Sequence, residues 1–273
     1  MPVKYPYQLE KIPRMRRFTF DAGYLGRRRH MVHGLLEVDV TESRRIIRQV
    51  EQESGEKLSF TAFVIYCLSR AIEQHPHLGA YRDWRNRLVI FDQIWINSMF
   101  EVEKEGKRFP MPHIFRAANQ KSLLEIHQEM RHSQSQPHTT VETKFLKRFL
   151  YLPAFMRRIF YWFVMRMPQY TRQYSGSVLV TAVGMFGQGG GWAITLPNFT
   201  LTVVVGGISK KPGVIKDEIA IREYLDLTLS IDHDIVDGAP AARFAQSLRE
   251  LLESASGLVE FAETGPVAGT TIM

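Results

Sequence analysis

The sequence predicts an α/β chain, a mixed β-sheet with helices packed on it, and three observations carry that expectation. Apolar residues recur at helical spacing over 41–54 and 59–75. Strand-like runs rich in β-branched residues gather in the second half, SVLVTAV at 177–183 and TLTVVVGG at 200–207. From Ile219 to Ile231 the odd positions are apolar except Glu223, and the even positions are mostly polar, the period-two signature of a strand.

Leu35 to Val40 reads as the first strand. Thr41 is the expected N-cap of a helix over 41–54 that carries Ile46, Ile47 and Val50 on one face and stops at Gly55. Ser59 opens a second helix, SFTAFVIYCLSRAIEQH, which ends before Pro76. Arg87 to Phe100 reads as a strand, and AANQKSLLEI from 117 leads into a third helix. After the long strand ending at Asp232, Pro240 sits in the first turn of a helix with Phe244, Leu248, Leu251 and Leu252 on one face. His233 therefore falls where a strand stops and a turn toward a helix begins, a rigid support for a reactive side chain. Residues 257–273 carry weak element signals and read as a tail.

Composition bounds the class without naming a function. A hydrophobic fraction of 45% and a charged fraction of 23% describe an ordinary globular chain with no disordered or fibrous bias. One cysteine, Cys67, excludes an internal disulfide framework and a multi-cysteine metal site, and favours a reducing compartment. The N-terminus lacks a secretory-type apolar core and no uncharged run is long enough to span a bilayer, so a soluble cytoplasmic protein is expected.

The net charge of +7 is local. Between Lys144 and Arg172 lie seven Lys or Arg and no Asp or Glu, and the other 28 basic residues equal the 28 acidic ones. That segment is also dense in Phe, Tyr, Trp, Leu and Met. Its core, 154–167, is too short and too charged to cross a membrane. It can rest on a membrane surface, cover an acyl chain as a lid, or form a solvated helix pair. Nucleic-acid binding is disfavoured, because bulky aliphatics interleave the charges as much as stacking aromatics do.

Gln188-Gly189-Gly190-Gly191 lacks the Lys-Ser/Thr ending of a phosphate loop and reads as a flexible turn. His30 with His33, His75 with His77 and His127 with His132 have metal-like spacings, but no cysteine or carboxylate cluster completes them, and they read as surface histidines.

Two longer stretches point to a family. Asp232-His233-Asp234-Ile235-Val236-Asp237-Gly238 is followed by APAARFAQSLRELLE; upstream, Val180-Thr181-Ala182-Val183-Gly184-Met185-Phe186-Gly187 precedes WAITLPNFTLTVVVGGIS. With LEVDVTE and RAANQKSLLEI, these resemble the catalytic domains of the dihydrolipoamide acyltransferases of 2-oxo acid dehydrogenase complexes, within the chloramphenicol acetyltransferase-like superfamily, over residues 14–255.

The resemblance implies a chloramphenicol acetyltransferase-like fold and a CoA-dependent acyltransferase, with coenzyme A entering as the acyl-CoA cosubstrate. It implies that His233 is the general base, and that Thr181 stands where the family has a serine whose hydroxyl stabilises the oxyanion. Threonine keeps the hydroxyl and stiffens χ1. Asp237 matches an aspartate that pairs with an arginine near the N-terminus and holds the histidine loop; Arg16 and Arg17 are the candidate partners. Gly238 would permit the tight turn into the last helix, and Asp232 belongs to the support of the site. A homotrimer or a higher multiple is implied, with the histidine of one subunit facing the hydroxyl of its neighbour. The chemistry requires no metal.

Asp234 departs from the family arginine and alters the charge beside the base. The chain is expected to be a single catalytic domain, 1–273, without lipoyl or peripheral-subunit-binding domains, and 144–172 resembles insertions in stand-alone relatives. An acyltransferase component acting in trans on a separate lipoyl protein and a catalytically silent oligomeric scaffold remain the alternatives.

Overall fold

The computed structural model describes residues 7–104, 107–135, 148–184 and 189–264. A mixed sheet of six strands organises the chain: β1 (Met31–Asp39), β4 (Ile96–Lys104), β5 (Lys107–Phe115), β6 (Val178–Ala182), β7 (Leu201–Ile215) and β8 (Glu218–Asp232), in the order β1-β8-β7-β6-β4-β5. β4, β6 and β7 run parallel, and the other pairs are antiparallel. Two short strands, β2 (Tyr81–Arg82) and β3 (Leu88–Val89), form a separate ribbon. The strand expected over 87–100 is thus two pieces, β3 and the start of β4.

One face of the sheet holds the core. Val178 and Val180, Leu201 and Val203, and Leu225 to Ile231 at odd positions point into a cluster completed by α2 (Thr41–Ser54), α3 (Phe60–Gln74), α4 (Leu123–Ser135) and α7 (Gly238–Glu253). Ser59 caps α3 as expected, its side chain accepting a hydrogen bond from Ala62 N. Gly55 ends α2 in the left-handed region at φ 70°. Thr41 is the first residue of α2 rather than its cap. Its Oγ1 donates to Asp39 Oδ1 at 2.6 Å and accepts from Glu223 N at 2.8 Å, tying the helix start to β8.

The opposite face is polar and still buried: Asp226, Thr228, Ser230 and Asp232 alternate with the core residues of β8. Gly191 and Trp192, in the loop from β6 to β7, lie on this face. Gly191 N donates to the Asp226 carboxylate, and Trp192 Nε1 donates to Leu36 O at 3.2 Å. Backbone meets backbone there: a Cβ on Gly184 would stand 1.8 Å from Gly206 O, and one on Gly207 would stand 2.1 Å from Gly189 O. Of the flexible turn expected over 188–191, Gln188 lies outside the described residues, and Gly189 to Gly191 are packed closely against a bulge in β7.

β7 and β8 outrun their neighbours. β1 ends at Asp39, opposite Tyr224, so 218–223 pair with β7 alone. The hairpin turns through Lys216 and Asp217, both at positive φ, and its tip leaves Val214 and Ile219 exposed. The described residues also form the helices α1 (Arg16–Gly26), α5 (Ala154–Met165) and α6 (Pro168–Ser175). The expected tail is in part a further helix, α8 (Leu258–Thr264), because Leu258 and Phe261 find places in the core; the residues after it lie outside the described ones.

Candidate active site

The end of β8 and the turn after it are fixed at several points. Asp232 N donates to Thr200 O at 2.9 Å, and the Asp232 carbonyl accepts from Ile235 N and Val236 N, both at 3.1 Å. The Asp232 carboxylate, buried, receives Arg29 Nη1 at 2.6 Å and Asp234 N at 3.2 Å. His233 N donates to His30 O at 2.8 Å, and Val236 plugs into the core. The backbone that carries His233 is held by neighbouring strands and by an ion pair, while its imidazole is exposed.

Asp234, the departure from the family pattern, is electrically compensated. Its Oδ1 lies 2.9 Å from His30 Nδ1 and its Oδ2 lies 3.8 Å from Arg82 Nη1. The hydrogen bond and negative charge of Asp234 raise the His30 pKa above 6.5. Asp237 is exposed and precedes α7 in extended conformation, φ −76° and ψ 165°, with its carbonyl accepting from Ala241 N at 3.1 Å. A carboxylate at this end of α7 suits the positive end of the helix dipole.

Three sequence expectations meet a different geometry in the single chain. Arg17 Nη1 donates to Leu150 O at 2.5 Å and Arg16 is exposed; among the described residues no ion pair joins either of them to Asp237. α1 carries these arginines toward α5, and the arginines that reach the histidine loop are Arg29, on Asp232, and Arg82, near Asp234. Gly238 is the first residue of α7 without a positive φ, and a Cβ there would meet nothing within 4 Å, so the turn does not need glycine. Of the six histidines, His30, His33, His77 and His132 are exposed as expected, whereas His127 is fully buried and His75, half-buried, has Nε2 2.9 Å from Ser247 Oγ. Among the described residues no three His, Cys, Asp or Glu side chains are arranged to hold a metal.

Sequence reasoning missed Arg29, which holds the Asp232 carboxylate, and His30, whose carbonyl accepts from His233 N and whose ring contacts Asp234. Arg29 is the last of three consecutive arginines, and nothing local distinguishes it from Arg27 or Arg28.

Thr181 stands on β6, half-buried, with Met99 and Val204 as its strand neighbours. Val204 pairs with Thr228, five residues before His233. At about 3.3 Å per residue the two candidate catalytic groups of one chain are about 17 Å apart along the sheet. A cavity of about 370 Å³ opens beyond α3, lined by Glu73, Pro76, Asp92 and Ser177 among others, and neither His233 nor Thr181 lines it.

Residues 27–141 and 170–259 match the family described as 2-oxoacid dehydrogenases acyltransferase (catalytic domain). Among curated proteins, the dihydrolipoyllysine-residue acetyltransferase component of the pyruvate dehydrogenase complex of Staphylococcus epidermidis is 24% identical over 257 residues, covering 92% of this chain and 52% of that protein. The chain spans about half the length of the curated relatives it matches. Among solved structures, the cubic core of a pyruvate dehydrogenase multienzyme complex aligns with a TM-score of 0.69 at 17% identity, covering 95% of this chain and all of that one. A chloramphenicol acetyltransferase aligns with a TM-score of 0.52 at 17% identity over 92% of this chain and all of that one. The fold is the mixed-sheet fold these proteins share.

Proposed function

The chain belongs to the family of 2-oxoacid dehydrogenase acyltransferase catalytic domains, and from that footing we propose that it is a CoA-dependent acyltransferase, one catalytic domain with His233 as general base. The imidazole takes the proton of an acceptor thiol or hydroxyl. The freed sulfur or oxygen attacks the carbonyl carbon of an acyl thioester, and the Thr181 hydroxyl donates a hydrogen bond to the tetrahedral oxyanion. Collapse breaks the carbon–sulfur bond, and the departing thiolate recovers the proton from the imidazolium. Acyl group and proton have changed places between the two partners, with no net charge generated.

The observation that carries this reading is the mounting of His233: a pinned backbone beneath an exposed imidazole. Because Thr181 and His233 of one chain lie about 17 Å apart by strand register, the hydroxyl comes from a neighbouring copy, in a homotrimer or a multiple of it. The exposure of His233 and Asp237 in the single chain suits such a shared site. Arg29 and Asp232 act as positioning residues. Positive side chains nearby, Arg82 among them, favour the approach of the polyanionic CoA by their field.

Release of free CoA thiol from a panel of acyl-CoAs tests the reading, with dihydrolipoamide, a small alcohol or an amine as acceptor. Turnover with the native protein and its loss in His233→Ala is the expected result. Turnover unchanged in His233→Ala, or no turnover with any donor in a folded oligomer, overturns it. The names of the relatives favour one second reading, an acyltransferase component that serves a separate lipoyl protein. Turnover only with lipoyl-domain-bound dihydrolipoamide would select that form.

A further inference from the structure

The match to the family model stops at 141 and resumes at 170, so α5 lies outside it, and α1 precedes the matched region. The two helices pack on each other through charge. Arg157 Nε lies 2.7 Å from Asp21 Oδ2 and its Nη2 lies 3.2 Å from Asp21 Oδ1, both residues buried. The guanidinium of Arg158 stacks 3.8 Å from the centre of the Tyr24 ring.

α5 therefore turns charged side chains inward and apolar ones outward. Phe155 and Ile159 are each 63% exposed and Phe163 is 54% exposed, with Met156, Phe160 and Trp162 also open to solvent. At 3.6 residues per turn these six span an arc of about 160°. A solvated helix has the reverse arrangement.

The surrounding charge identifies the occupant. Residues 148–172 contain five arginines and no acid; residues 11–29 contain seven Lys or Arg and only Asp21, which Arg157 neutralises. Arg166 lies 4.3 Å from the Trp162 ring, at the border of the apolar face. A second copy would bring an equal positive surplus against this one. An anionic lipid surface satisfies both properties: aromatic and aliphatic side chains enter the boundary between headgroups and acyl chains, and the arginines meet phosphates. With 12 residues α5 is about 18 Å long, enough to lie in that boundary and too short to cross it.

We propose that α5, with the arginines around it, is a peripheral anchor to anionic phospholipid bilayers. The inference is independent of the acyl-transfer reading. Its test is co-sedimentation of the full chain with phosphatidylglycerol/phosphatidylcholine vesicles and with phosphatidylcholine vesicles alone. Binding to the anionic vesicles should exceed binding to the neutral ones by about tenfold and weaken in about 0.5 M salt. Ile159→Glu/Phe163→Glu, two changes at exposed positions that leave the circular dichroism and melting temperature in place, should lower it by about tenfold. Arg166→Glu should lower it less. Absence of anionic-vesicle binding overturns the proposal, and so does binding insensitive to Ile159→Glu/Phe163→Glu, which would mark a diffuse charge effect. If those two substitutions change only the size of the oligomer in sedimentation velocity, the face joins copies of this chain and the proposal fails.

Discussion

Arg29 Nη1 stands 2.6 Å from Asp232 Oδ2 across 203 residues of sequence, and this pair fastens the segment before β1 to the residue that precedes His233. Arg29→Met keeps most of the volume and removes the charge. We expect a loss of about 2 kcal/mol in urea unfolding, less than the ~3–5 kcal/mol of a fully buried pair because the guanidinium is partly exposed. Turnover should fall about tenfold to a hundredfold with little change in KM, since the base is displaced and not removed. Equal stability and turnover in the variant would show that the pair does not position the loop.

Thr181→Val removes the hydroxyl at nearly constant shape. Turnover is expected to drop by about 10²–10³, Thr181→Ser should recover most of it, and the melting temperature should move little. Mixing chains gives a sharper readout. Oligomers co-refolded from Thr181→Val and His233→Ala chains regain activity if each site takes one group from each copy; if both groups serve one site within a chain, mixing restores nothing.

Two histidines give stability pH dependences of opposite sign. His127 is fully buried, accepts at Nδ1 from Ser59 N at 3.2 Å, and has its pKa lowered below 6.5 first by burial and then by the charge of Arg131. The unfolded chain therefore binds this proton more readily. Stability from His127 is present above pH 6.5 and is lost as pH falls toward the folded pKa. His30 is raised by Asp234, so its contribution is present below pH 6.5 and fades as pH rises through the folded value. Denaturant midpoints at pH 7 and pH 5 should show a fall in the native protein that shrinks in His127→Asn. An NMR titration should place His30 above 6.5, and Asp234→Asn should bring it down.

The buried pair of Asp21 and Arg157 joins α1 to α5. Asp21→Asn leaves a buried guanidinium without its counter-charge, at a cost of about 3–5 kcal/mol to the local structure. Hydrogen exchange should accelerate over 16–26 and 154–165 while β8 stays protected. Uniform exchange across the chain would show that α1 and α5 unfold only with the whole.

How much was legible in the sequence follows from how local each signal is. The alternation along β8 separates a core face from a polar face, and Leu225 to Ile231 obey it. The same pattern gave no hint that Ile219 and Ile221 would be exposed, since that depends on where β1 stops. His233 was legible as a strand-end residue within its motif, whereas its arginine support was not, because Arg29 and Asp232 are joined only by the sheet. Leu258 and Phe261 escaped notice for a different reason: two apolar residues three apart are too few to announce a helix, and only the core receives them.

The backbone stack of Gly184, Gly189, Gly206 and Gly207 has a consequence for how this chain tolerates change. Because a Cβ on Gly206 would already stand 2.3 Å from Gly191 O and one on Gly207 2.1 Å from Gly189 O, the first methyl group does the damage and larger side chains add little. In a saturation library, alanine at Gly206 or Gly207 should score as badly as tryptophan, a cliff instead of a slope. At Gly23 and Gly34, where a Cβ meets nothing within 4 Å, the ranking should follow residue type gradually. Variation in descendants of this chain is thereby channelled away from the loop over β7 and toward helices such as α5, outside the stretches that match the family.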